Sequence, residues 1–252
     1  MDLVNFSIEL LSLLFVIAIV AGFLDTLAGG GGLLTLPALL MTGIPPLASL
    51  ATNKLQSTMG TATATLIMLK NKRVRWHDVK HLMLSAFIGS VAGTLIVQLI
   101  NTEALTIVMP IVIAAIGLYF LITPTVEEAN NKPKMSSSAY RFIVVPIIGC
   151  YDGIFGPGTG SFFALSGRAL RAQSFLQATA VAKTLNFSTN FASLIVFIFA
   201  GHVLWLVGII MMLGQLIGAW LGSHFLFKIP VKYLRYLVVF MCFAMLLKYF
   251  NS

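Results

Sequence analysis

Four charged residues stand where an apolar chain has no solvent to offer them. Asp25, Lys54 and Lys183 border the uncharged stretches 26–53, 55–69 and 184–227, and Asp152 alone interrupts the apolar run 142–167. A charge at the centre of a membrane helix costs about 2.5–3.5 kcal/mol on insertion scales, so such residues are paired or functional. Two chemistries fit them. The lysines can supply positive potential to a small anion, or each can neutralise an aspartate, and one lysine can do both. Asp25 and Asp152 are correspondingly coupling groups or structural charges.

Glycine-rich breaks lie beside both aspartates. Gly29-Gly30-Gly31-Gly32 follows Asp25, and Gly156-Pro157-Gly158-Thr159-Gly160-Ser161 follows Asp152. Each glycine costs a helix about 1 kcal/mol relative to alanine, and unwound backbone at membrane depth survives only inside protein or beside a wet cavity. Short helices are expected to restart at Leu33–Met41 and Ser161–Leu170. Their first N–H groups lack intrahelical acceptors and form a natural anion site. The competing reading is close glycine packing at a helix crossing. No strand precedes either break and no Gly-Lys-Ser/Thr follows, so a nucleotide-binding loop is not expected.

Polar residues gather around both lysines. Asn53, Gln56 and Ser57 flank Lys54, and Ser57 at +3 shares its helical face. Asn186 at +3 and Asn190 at +7 share the face of Lys183, alongside Thr184 and Ser188. The candidate substrate-binding set is therefore Lys54, Lys183, Gly30, Gly31, Gly32, Asn53, Ser57, Gly158, Thr159, Gly160, Ser161, Asn186 and Asn190. Interhelical hydrogen bonding is the alternative use of such a stripe. Cys150 and Cys242 sit in apolar surroundings, and His77, His81, His202 and His224 form no metal-spaced pair. Neither a metal site nor a cofactor is expected, and no nucleophile–base pair suggests an enzyme.

The elements that must position these residues are membrane helices. The 252 residues are 58% hydrophobic and only 10% charged, against about 25% charged in a soluble domain. Mean hydropathy is +0.96. Expected helical spans are 5–43, broken near 25–32, then 47–70, 78–99 and 103–123. A second set follows: 140–170, broken near 152–160, then 173–199, 202–227 and 231–250. The net charge of +8 does not signal nucleic acid, because the basic residues follow the loops. Thirteen of the sixteen Lys and Arg flank 70–80, 132–141, 168–171 and 228–235, while the turns at 43–46, 100–103 and 200–204 carry none. Under the positive-inside rule the basic loops are cytoplasmic and the N-terminus lies outside. The glycines Gly89/Gly93 and Gly214/Gly218/Gly222 are spaced for close helix packing, and Trp76 and Trp205 are placed as interfacial anchors.

The two sets of spans are related. Gly22-Phe-Leu-Asp25 with Gly29 recurs as Gly149-Cys-Tyr-Asp152 with Gly156, at an offset of 127 residues. Lys54 and Lys183, Val74-x-Trp76 and Val203-x-Trp205, and Gly89/Gly93 and Gly218/Gly222 match at 129. Corresponding turns carry opposite charge character, so the halves are read as inverted, a common plan of secondary transporters whose sites lie near the membrane midplane. The expected fold is an all-α polytopic membrane protein of two inverted-topology repeats, each a broken helix hairpin plus three transmembrane helices. The division is residues 1–130 as the first repeat, 131–139 as a cytoplasmic linker and 140–252 as the second repeat.

Gly22-x-x-Asp25-x-x-x-Gly29-Gly-Gly, Ala51-Thr-Asn-Lys54, Gly149-x-x-Asp152-Gly-x-Phe-Gly156-Pro-Gly-x-Gly160 and Ala182-Lys183-x-x-Asn186 resemble the sulfite exporter family of TauE/SafE type, across essentially the whole chain. The first break departs from the second in lacking Pro and Ser/Thr. The resemblance implies export of small sulfur-containing anions (sulfite, thiosulfate or organosulfonates) by alternating access between the repeats. A passive small-anion channel or uniporter is the alternative. The expected partners are a small anionic substrate and the lipid bilayer of a bacterial inner membrane, with homo-oligomerisation left open.

Overall fold

The computed structural model describes residues 6–122 and 132–225, with isolated residues among 236–247. The span expected at 231–250, Cys242 and residues 123–131, among them the first residue of the expected linker, lie outside the stretches it describes. Helix α1 (Ile8–Ala28) starts at Ser7, whose Oγ accepts from Leu10 N. It stops at Gly29, which adopts the left-handed φ of +79°. After the break come α2 (Gly32–Met41) and α3 (Pro46–Lys70), the latter opened by a proline whose missing N–H costs nothing in a first turn. Helices α4 (Trp76–Gln98) and α5 (Thr102–Ile122) complete the sequence before residue 123.

The second run begins earlier than the expected 140. Ser136 caps a short helix, α6 (Ser137–Ala139), which continues through a π-helical stretch at Tyr140–Val144 into α7 (Val145–Ile154). The serine-rich composition reads as linker, yet one of those serines supplies the cap. Helix α8 (Thr159–Arg171) follows the second break, starting two residues before the expected Ser161. Then come α9 (Phe175–Phe199), capped by Ser174, and α10 (Trp205–Phe225).

Among the described residues, five helices are long and apolar enough to cross a membrane: α1, α4, α5, α9 and α10. Helix α3 is as long as α9 but carries a dense set of amide, hydroxyl and lysine side chains, and most of it is buried. The two pack against each other at the centre, α3 also against α10 and α9 against α4. Around this pair, α1 lies along α10, α7 along α4, α2 on α3 and α8 on α9. Exchanging α1, α2, α3 and α4 for α7, α8, α9 and α10 therefore reproduces the contacts.

Glycine permits the two outer crossings. A Cβ on Gly22 would stand 2.5 Å from the Gln215 carbonyl oxygen, and Gly218 meets the Ile19 carbonyl across the same seam. In the other crossing Gly89 meets the Pro146 carbonyl, and Gly93 that of Cys150. Without a hydrophobic force to join helices in lipid, such close backbone approach is a principal source of association. Hydroxyls join α4 to α9: Ser90 Oγ donates to Thr189 O at 2.7 Å and Ser188 Oγ to Met83 O at 2.7 Å. Ser188 is thus a packing residue. Trp76 and Trp205, both at helix starts, are 58% and 51% exposed.

Candidate functional site

Each break is closed over by the aspartate that precedes it. The Gly29 N–H donates to Asp25 O at 2.8 Å, and the Gly31 N–H donates to the Asp25 carboxylate at 3.2 Å. In the second break Gly156 and Gly158 have φ of +96° and +80°, and Thr159 Oγ1 donates to Asp152 Oδ1 at 2.7 Å. A carboxylate at the start of the next helix is favoured by the helix dipole. Tyr151 Oη donates to Pro157 O at 2.5 Å and ties the loop down further.

The two breaks lie against each other. A Cβ on Gly29 would sit 3.0 Å from both N and Oγ of Ser161, and one on Gly32 would sit 3.4 Å from Pro157 Cα. Ser161 Oγ also points at Gly29 O, at 3.5 Å. The left-handed conformation and the lack of room both require glycine at position 29.

The lysines cross between the runs. Lys54 Nζ is 2.9 Å from Asp152 Oδ2 and donates to Asp152 O at 2.6 Å. Lys183 Nζ donates to Asp25 O and stands 3.7 Å from Asp25 Oδ2. Each lysine thus holds the break that lies in the other half of the sequence. Both are buried, as is Asp152, while the Asp25 side chain keeps 13% of its surface exposed. A buried charge without a partner is costly, which is why the ammonium groups turn to the carboxylates and carbonyls.

Between the breaks is a small polar cavity. Of the residues expected at a site, Gly32, Asn53, Ser57, Gly158, Thr159, Gly160, Asn186, Asn190 and Asp25 line it. Lys54, Lys183, Asp152, Gly30, Gly31 and Ser161 are not among its lining residues. Three lining residues were not anticipated: Gly29, Thr61 and Gly156. Thr61 stands seven residues after Lys54, as Asn190 stands seven after Lys183, so the repeat itself carried the signal for it.

Amide donors are aimed into this space. Asn53 Oδ1 accepts from Thr35 Oγ1 at 2.6 Å and from Gln56 Nε2 at 2.7 Å. That fixes the carboxamide and turns Nδ2 toward Gly32. Asn186 Nδ2 lies likewise 3.4 Å from the Cβ position of Gly160, and Asn190 Nδ2 donates to Asn186 O at 2.8 Å. Gly32 and Gly160 sit in the first turns of α2 and α8, where backbone N–H groups lack intrahelical acceptors. Two half-helix starts, two carboxamides and the Ser57 hydroxyl make a donor-rich lining suited to oxygen atoms of an anion, with Asp25 the one acid among the described residues that line it. Only about 20 Å³ is open to the centre of a water molecule, room for roughly one water. Among the described residues no group of three His, Cys, Asp or Glu could hold a metal.

Comparison with known proteins bears on the whole chain. The family model described as "Sulfite exporter TauE/SafE" matches residues 14–249. A protein of Haemophilus influenzae named "Probable membrane transporter protein" is 42% identical over 244 residues, covering 97% of this chain and 96% of its own. A Sinorhizobium protein, "Probable membrane transporter protein ORF9", is 39% identical over 97% of this chain and 94% of its own. "Probable membrane transporter protein YfcA" of Escherichia coli K12 is 41% identical over 91% and 86%. No solved structure matches the chain.

Proposed function

This chain belongs to the sulfite exporter TauE/SafE family of multi-pass membrane transporters, and we propose that it exports small sulfur-containing oxyanions through the cavity between its two chain breaks. Sulfite, thiosulfate and organosulfonates share what that lining recognises: several anionic oxygens clustered on one sulfur. The observation that carries the reading is the meeting of the breaks, Gly29 against Gly160 and Ser161, with a donor-lined space between. Lys54 and Lys183 are not among the lining residues and offset the charge of an arriving anion, while Asp25 and Asp152 hold them in place.

The size of the cavity favours alternating access over a passive pore. It takes about one water, so an oxyanion enters only when the breaks part. The exchange symmetry of the packing supports two inverted repeats, 1–130 and 140–252, rocking about this point. Asp25 supplies the coupling. An oxyanion beside its carboxylate meets like charge, and a proton carried with the substrate removes the repulsion. The membrane is the bacterial inner membrane, with the basic loops in the cytoplasm. The chain carries out no covalent chemistry in this scheme.

Purified protein in proteoliposomes tests it. Efflux of sulfite, thiosulfate and an organosulfonate is measured with and without an imposed pH gradient. The expected result is saturable flux that responds to the gradient. A purely electrodiffusive current, indifferent to pH, would favour the channel, and no flux of any of the three would overturn the proposal.

A further inference from the structure

A second cavity lies at the end of the molecule where α4 begins, among α6, the π-helical stretch and the end of α8. It is lined by His81, Ser137, Ser138, Arg141 and Arg171, among others, and its volume is about 250 Å³. His81 and Arg141 also line an adjoining groove of about 550 Å³, whose remaining wall is largely apolar and includes Leu84, Ile88, Phe142 and Pro146. The basic cavity and the apolar groove are thus one continuous surface.

The charges in the cavity are unequal. Among the described residues its one acid, Asp78, is engaged by Arg75, with Nε at 2.7 Å from Oδ2 and Nη2 at 3.2 Å from Oδ1, and His77 Nδ1 stands 3.7 Å from Oδ1. Arg171 is fixed by Met135 O and by Ser137 Oγ, the latter at 2.6 Å. Arg141 is placed differently. Its guanidinium rests 4.3 Å from the centre of the Phe142 ring, and its buried Nε has no hydrogen-bond partner among the described residues. The π-helical stretch, closed by a bond from Val145 N to Tyr140 O, widens the backbone where this arginine leaves it. Such widened turns are frequent at functional sites.

The apolar groove faces outward. Leu84, Ile88 and Phe142 are 58%, 60% and 64% exposed, on helices that lie in the bilayer. His81, Leu84 and Ile88 form one stripe at i, i+3 and i+7, spanning about 10 Å along α4. A ligand matching both regions has an anionic, hydrogen-bonding head and an apolar tail of at least that length.

We propose that this surface binds one anionic phospholipid, its phosphate held by Arg141 and Arg171 and an acyl chain lying along Leu84 and Ile88. Serine hydroxyls at 137 and 138 are placed to meet a polyhydroxyl headgroup. The crossing of α4 and α7 lies at the floor of the groove, where Pro146 packs on Gly89. The bound lipid therefore seats beside the tightest joint of the bundle.

Thermal unfolding of the full chain in detergent, titrated with phosphatidylglycerol, phosphatidylcholine or inorganic phosphate, tests the site. Phosphatidylglycerol is expected to raise the unfolding midpoint at lower concentration than phosphatidylcholine, and phosphate to leave it unchanged. Arg141→Gln is expected to raise the half-saturating phosphatidylglycerol concentration about fivefold, the contribution of one basic residue at a membrane surface. Arg73→Gln, an exposed position on the same basic loop system, is expected to leave it unchanged. Ile88→Trp fills the groove from the lipid side with Arg141 intact, is expected to weaken phosphatidylglycerol similarly, and decides the matter alone if Arg141→Gln yields no folded protein. Equal responses to the two lipids, stabilisation by phosphate alone, equal effects of Arg141→Gln and Arg73→Gln, or an unaltered titration in Ile88→Trp would each overturn the proposal.

Discussion

Replacing Lys54 by methionine keeps the unbranched shape, shortens the side chain by one atom and removes its charge. The Asp152 carboxylate, 1% exposed and 2.9 Å from the lysine nitrogen, then stays in the interior without its cation. Breaking a buried pair from one side costs about 3–5 kcal/mol, whereas replacing both partners with neutral groups is close to neutral. At about 2–4 °C per kcal/mol for a chain of this size, Lys54→Met should unfold about 6–20 °C below the unaltered protein. The double variant Lys54→Met/Asp152→Asn keeps an acceptor for Thr159 and should recover most of that loss, a coupling of about 3 kcal/mol. Lys183→Met should be milder, about 1–3 kcal/mol, because its partner is 3.7 Å away and partly exposed. Thermal unfolding in detergent, followed by circular dichroism, measures all three variants against the unaltered protein. If Lys54→Met melts within 2 °C of the unaltered protein, or the double variant melts no higher than the single, the pair does not hold the second break. Sulfite efflux in the recovered double variant separates stability from charge: normal flux there would remove Lys54 from the electrostatics of the anion.

Gly160→Ala adds a Cβ at ordinary contact distance, 3.4 Å from Asn186 Nδ2, so it should fold normally but weaken sulfite binding, whereas Gly158→Ala, at φ +80°, should lose about 1–3 kcal/mol of stability; thermal shift with and without sulfite distinguishes them. Gly29→Ala should be less stable than Gly43→Ala in thermal melts, since both have positive φ but only the first meets Ser161, at 3.0 Å, while no described residue lies within 4 Å of the second. Equal losses would mean that the breaks do not press on each other. For orientation, cysteine replacing Asn101 should react with an impermeant thiol reagent in intact cells and cysteine replacing Ser136 should not; the reverse pattern would invert the assigned topology.

The sequence made the helices and breaks legible because long apolar runs, interrupted by glycine clusters, leave few other structures open in a bilayer. Asp25, Lys54, Asp152 and Lys183 stood out for the same reason. Their pairing was not legible. Helical spacing relates residues on one helix, whereas Lys54 to Asp152 and Lys183 to Asp25 are contacts between distant helices, set by how α3 and α9 cross the breaks. Spacing therefore shows which polar residues share a face with each lysine, but not which aspartate on another helix the lysine meets. Thr61 went unnoticed because a threonine in an apolar helix commonly bonds its own backbone, and this one does, to Ser57 O at 2.7 Å. The start at Ser137 was hidden by serines that look like solvated chain, and the π-helical stretch has no sequence period of its own.

The crossed ion pairs also set an order for biogenesis. Asp25 and Lys54 are synthesised well before Asp152 and Lys183, and neither pairs with the other in the finished protein. While the chain is growing, its leading helices enter the bilayer with two charges whose partners do not yet exist, each costing about 2.5–3.5 kcal/mol if left at mid-membrane. Those helices cannot reach their final arrangement until α7 and α9 arrive. Expressed as two separate fragments, the halves would each carry the same deficit, and each would be rescued by the other when co-produced. A nascent chain cut short before Lys183 would be left with uncompensated charge, a mark by which membrane quality control can recognise an unfinished copy.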